Sequence, residues 1–189
     1  LKTKISQIEI NIVNSIDNSN TYLIDNAGNL TAGIFSGGLL TLNSRSDIIN
    51  TLGAIHSGLD ANLTAIGQIV NSGLIASDQN LNIIASYLNN HASSLHGIIA
   101  SGDVTIKSND QITLNNIDNS SGYIGGSNIT LTVAGNLNND SGLISSLKKT
   151  TINTNSISNS GNNTNASGIF SGDDLSINFG VGGFSNNNG

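Results

Sequence analysis

The chain has 189 residues, a net charge of −6 and a sequence pI near 4.6, with 37% hydrophobic but only 10% charged residues. That balance excludes a coiled coil and a charge-solvated disordered chain. Six scattered basic residues exclude a nucleic-acid footprint and leave no basic surface for anionic membranes. Asn (32), Ser (27) and Gly (22) make up 81 residues while aromatics are 4%, so the expected core is thin and aliphatic. Proline is absent, as a ladder that uses nearly every backbone N–H would require. Cysteine is absent too, which removes disulfides and thiolate metal sites.

The amino end, LKTKISQIEINIV, lacks the uninterrupted apolar region of a signal peptide, and no run approaches the roughly 18 apolar residues of a membrane span. Beginning at Leu1 and containing no Met, the chain reads as an internal fragment of something longer. Clear repeats start near residue 20. A glycine followed two residues later by Ile or Phe recurs at Gly33, Gly53, Gly73, Gly97, Gly122, Gly142 and Gly168, at intervals of 20 to 26 residues. Periods in this range point to a solenoid. The residues two after each anchor are Phe35, Ile55, Ile75, Ile99, Ile124, Ile144 and Phe170, and they are expected to form one internal file.

Seven to ten residues after each anchor comes an alternating pair: Leu40/Leu42, Ala61/Leu63, Leu81/Ile83, Val104/Ile106, Ile129/Leu131, Thr150/Ile152 and Leu175/Ile177. Alternation at period two is the signature of a strand. A third apolar position follows at Ile48, Leu88, Ile112, Leu137 and Ile157, with Ile66 or Ile69 standing in beside Gln68. Corner residues are expected at Asn50, Asn71, Asn90, Asn115, Asn139 and Asn159, because Asn tolerates left-handed backbone angles and bonds its own chain. One such coil cannot bury its Ile alone, whereas stacked coils can. The expected fold is therefore all-β: a parallel β-helix of about 20–26 residues per coil, with three short strands per coil. Residues 1–178 form a single repeat region, and 179–189 are a Gly/Asn-rich tail or the start of a further coil.

The segments SGLIASDQNLNI (72–83), GIIASGDVTIKS (97–108), VAGNLNNDSGLIS (133–145) and SGIFSGDDLSI (167–177) resemble the repeats of filamentous-haemagglutinin-type exoproteins of the bacterial two-partner secretion class, which includes large adhesins and contact-dependent growth inhibition proteins. The resemblance covers residues 20 to 178. It implies a right-handed parallel β-helical filament, exported through an outer-membrane transporter and then secreted or displayed at the bacterial cell surface. Its implied partner is a host or bacterial cell-surface glycan or protein receptor. It brings no catalytic residues and no cofactor.

Candidate chemistry is sparse. The chain has one Glu (Glu9) and one Arg (Arg45), and the adjacent Asp173 and Asp174 read as solvated turn acids, so neither a catalytic carboxylate pair nor a lyase set emerges. His56, His91 and His96 have no Cys or Glu nearby to complete a metal site. An outward column, Thr41, Asn62, Asn82, Thr105, Thr130, Thr151 and Ser176, reads as polar stacking that keeps the surface solvated. Extra residues are expected after the third strand near 90–96, 116–121 and 159–167, where binding surfaces of solenoids collect. The candidate contact residues there are Asn90, His91, Ser94, His96, Asn119, Ser120, Asn162, Asn163 and Asn165. The sequence thus suggests an adhesive rod without catalytic, cofactor or metal residues. A polysaccharide-processing β-helix and an amyloid-like matrix subunit are the alternative readings, and open strand edges make end-to-end association an expectation.

Overall fold

The computed structural model describes residues 7–27, 30–92, 96–161 and 167–187. Parallel strands wind into a right-handed β-helix of about six turns. Three sheets run along it. The first holds Ile34–Ser36, Ala54–Ser57, Leu74–Ser77, Gly97–Ala100, Tyr123–Gly126, Leu143–Ser146 and Gly168–Ser171. The second begins at Gln7–Ile12 and continues through Leu39–Ser44, Val104–Ile106 and Ile129–Thr132. The third includes Ile16–Asp17, Ile48–Asn50, Asn116–Asp118 and Asn136–Asn138. Ala61–Asn71, Leu81–Asn90, Thr150–Ser160 and Leu175–Asn187 each bend from the second sheet into the third. Within the described residues the helix therefore starts at Gln7, and residues 183–187 pair with 156–160 in a further coil.

Alternation dictates which side chains enter. In the second sheet all seven expected pairs lie in register, with Leu42, Leu63, Ile83, Ile106, Leu131, Ile152 and Ile177 stacked on one another. In the first sheet the internal file is Ile34, Ile55, Ile75, Ile98, Ile124, Ile144 and Ile169. Phe35, Ile99 and Phe170 do not belong to it. They pair with the outward positions His56, Ala76 and Ser145, and Phe170 is 52% exposed.

The cause is that the seven glycines are of two kinds. At Gly53, Gly73, Gly122 and Gly142 an added Cβ would strike a backbone oxygen of the preceding coil. Gly33, Gly97 and Gly168 stand one residue later in register, opposite Ala54, Leu74 and Leu143, with φ of 132°, 126° and 127°. That conformation is open almost only to glycine, and the one-residue offset moves the inward side chain from the second to the first position after the anchor.

The third sheet stacks Ile16, Ile48, Ile69, Leu88, Ile117, Leu137 and Ile157. Ile69 takes the place beside Gln68, while Ile66 is 54% exposed. Ile117, not Ile112, fills the file in the fifth coil, because residues 107–115 loop out between the second and third sheets.

Past the third sheet the chain turns on a column of buried asparagines: Asn18, Asn50, Asn71, Asn90, Asn119, Asn139 and Asn159. Asn119 stands where Asn115 was expected. Each Nδ2 donates to the Oδ1 of the next coil, at 2.8, 2.8, 2.8, 2.7, 2.7 and 2.7 Å, and Asn159 continues to Asn186 at 2.6 Å. Asn18, Asn50 and Asn90 also donate to the carbonyls of Ala54, Leu74 and Tyr123, just past the corner of the next coil, so each of these side chains is tied twice to its neighbour, while Asn139 also bonds the Gly142 carbonyl of its own turn. Among the described residues no buried side-chain polar atom lacks a hydrogen-bond partner, which removes the usual penalty of placing polar groups inside.

Candidate functional site

The asparagine corner is also where chain is spent unevenly. Asn71 is followed after three residues by the next strand, at Leu74, and Asn50 after four, at Ala54. Between Asn18 and Ile34 the chain makes a detour containing a short antiparallel hairpin, Leu23–Ile24 with Leu30–Ala32. Spacing after the same corner is also longer between Asn90 and Gly97 and between Ser160 and Gly168, at seven and eight positions.

The first and fourth coils meet over the short corners between them. Tyr22 and His96 rings lie 4.4 Å apart, centroid to centroid, edge to face. With Leu52, Ser72 and His91 they line a cleft of about 520 Å³. His91 Nε2 is 3.2 Å from Asp118 Oδ2 on the fifth coil, an ion pair whenever the imidazole is protonated. Asp118 itself is held below the usual carboxylate range. Burial, the largest single influence, pushes it up, but hydrogen bonds from the Ser120 hydroxyl and N–H and the charge of His91 together outweigh it.

The expected contact residues separate into three groups. His91 is exposed and His96 half-buried, and both line the cleft, whereas Ser120 is half-buried and bonds Asp118. Asn90 and Asn119 are fully buried members of the asparagine column, so they are not contact residues: their amides bond inward and along the axis. Ser94, Asn162, Asn163 and Asn165 lie outside the described residues. The surplus expected at 116–121 is placed differently. Asn116–Asp118 is a strand, and that coil's extra residues are 107–115, at another corner.

Sequence reasoning missed Tyr22 and Leu52. Tyr22 falls ahead of Gly33, the first glycine anchor, at a position that the anchor spacing does not define. The signal for Leu52 was positional. Residues two after a corner Asn take left-handed angles at Asn20, Leu52, Ser121 and Ser141, with φ from 50° to 58°.

Chemically the cleft offers a phenol, two imidazoles and a hydroxyl beside an aliphatic side chain. That set suits hydrogen bonding and ring contact with a ligand. Elsewhere His56 Nε2 lies 3.0 Å from Asp78 Oδ1, and Asp173 and Asp174 are exposed at a turn. Among the described residues no three His, Asp or Glu side chains gather as a metal-binding group. Comparison of the chain with family models, with curated proteins and with solved structures gives no match.

Proposed function

We propose that the chain is a structural and adhesive segment of a filamentous bacterial exoprotein: a rod, secreted or held at the cell surface after passage through an outer-membrane transporter, that attaches to a glycan or protein receptor on a host or neighbouring cell. The observation that carries the reading is the stack itself. Aliphatic files and an unbroken asparagine column bind every coil to the next, which suits a load-transmitting rod, while extra chain is accommodated at corners and leaves the stacked files in register. The repeat resemblance supports the same reading. The rod needs no catalytic group or cofactor to act in this way.

The contact surface we assign is the cleft of Tyr22, His91 and His96. Replacing all three by Ser in the full chain is expected to lower attachment to target cells by about tenfold or more, the loss of about 1.4 kcal/mol or more of contact energy, while far-UV circular dichroism stays unchanged. Undiminished attachment of a folded triple variant would remove the cleft from the reading.

A further inference from the structure

Residues 107–115 leave the helix between Val104–Ile106 and Asn116–Asp118, at the corner between the second and third sheets. The excursion is tied down. Asn109 Oδ1 accepts the N–H of Gln111 at 2.9 Å and of Ile112 at 2.7 Å, Ser108 Oγ accepts the N–H of Leu114 at 2.9 Å, and Leu114 is fully buried. Its outer side chains, Asn109 and Gln111, form one wall of a groove of about 410 Å³ that reaches back over earlier coils to Asn43, Arg45 and Thr64. Three exposed aliphatic side chains line the groove, Ile12, Val13 and Ile66, of which Val13 and Ile66 are the most open, at 71% and 54%.

Arg45 is the one arginine in a chain of net charge −6, and it is exposed. Among the described residues it makes no ion pair, although Asp47 stands two residues away in the chain. Asp47 Oδ1 accepts the N–H of Gln68 at 2.9 Å, and Glu9 accepts the amide of Asn11 at 2.9 Å, so both carboxylates have partners of their own. What remains is a guanidinium with its fork of donors, in a groove that also presents three exposed aliphatic side chains and the amides of Asn43, Asn109 and Gln111.

We propose that this groove binds an extended peptide segment of a partner protein, with an acidic side chain of the peptide paired to Arg45 and aliphatic neighbours resting on Val13 and Ile66. A carboxylate matches the guanidinium in a two-point hydrogen-bonded pair, and the Asn and Gln amides can both donate to and accept from peptide groups. An acidic sugar would satisfy Arg45 equally, but no aromatic ring lines the groove to stack on a sugar face. The exposed aliphatic pair favours the peptide. The surface-attachment reading supplies only the setting in which a partner is met, and the groove's binding is measurable without cells, so the two can fail separately.

The test is a nitrogen-15 chemical-shift titration of the full chain with the blocked peptide acetyl-Ser-Ile-Asp-Val-Ser-amide, its Asp-to-Asn counterpart, and a uronic-acid tetrasaccharide. The acidic peptide is expected to shift the amides of Asn43, Arg45 and Gln111. Binding should weaken about tenfold or more for the Asn peptide and for Arg45→Gln, and less for Arg45→Lys, which keeps charge without the fork. Arg45→Gln should unfold with the parent, because the side chain is exposed. Equal binding by Arg45→Gln, shifts with the tetrasaccharide in place of the peptide, or no shift up to millimolar peptide would each overturn the proposal.

Discussion

Ile98 and Ile99 are neighbours in the chain with opposite surroundings. Ile98 is fully buried between Ile75 and Ile124, and Ile99 sits outside between Ala76 and Gly125. Ile98→Ala should cost about 3 kcal/mol, the usual loss when buried aliphatic volume leaves a cavity, and Ile99→Ala about 1 kcal/mol or less. Urea titrations of the two variants compare them directly, and equal costs would mean the offset at Gly97 is wrong. Leu52 presents a second residue-scale test. It is 58% exposed and held at φ 50°, an angle that costs a non-glycine residue roughly 1–3 kcal/mol. Asn adopts that angle readily and sits at the matching place in the first coil as Asn20. Leu52→Asn is therefore expected to raise stability by about 1 kcal/mol; a fall in the urea midpoint would show that Leu52's contacts with the cleft outweigh its backbone strain.

At the scale of the element, the asparagine column is the feature that separates this corner from a chance run of polar turns. Asn119→Ala would leave the amide of Asn90 without its 2.7 Å acceptor and the Oδ1 of Asn139 without its 2.7 Å donor. Both groups are buried, at roughly 1–3 kcal/mol each, so a loss of about 2–5 kcal/mol is expected. Asn115→Ala is the control, because its amide makes only long bonds, 3.4 and 3.3 Å, near the surface. It should change stability by under about 1 kcal/mol. If the two variants unfold alike, the column does not hold the coils. The sequence announces five members of this column, Asn50, Asn71, Asn90, Asn139 and Asn159, because they keep nearly constant spacing from the strands, and it passes over Asn18, which precedes the first glycine anchor. It misplaces the fifth because the 107–115 excursion shifts Asn119 four residues beyond the position that spacing assigns, and Asn115 and Asn116 stand there instead.

For the whole molecule, parallel stacking was legible because each coil must present one cross-section to its neighbours, and period-two alternation in the second sheet survives every insertion. The candidate cleft was not legible in that way. Its members come from coils separated by up to 74 residues, Tyr22 to His96, and meet only because the short corners at Leu52 and Ser72 let two detours converge. A recurring phrase of that corner bears on the stability of the entire rod. IDNS occurs at 16–19 and 117–120, and in both copies the Asp accepts the Ser N–H two residues on, at 2.9 and 3.0 Å. Asp17 is lowered chiefly by the Ser19 hydroxyl, which lies at 2.5 Å, and Asp118 by the balance already described. A carboxylate whose folded pKa is depressed stabilises the fold above its unfolded pKa, and that stabilisation is lost as pH falls through the folded value. Both groups therefore favour the folded rod at neutral pH and withdraw their support below about pH 4. Asp118→Asn should be less stable than the parent at neutral pH, with the gap closing as acid protonates the parent's carboxylate. Urea midpoints followed by circular dichroism across that range measure the gap. A gap that stays constant down to about pH 2 would mean that Asp118 acts through its shape and hydrogen bonds alone, and that its charge, with the His91 pairing that charge permits, adds nothing to how the fourth and fifth coils hold together.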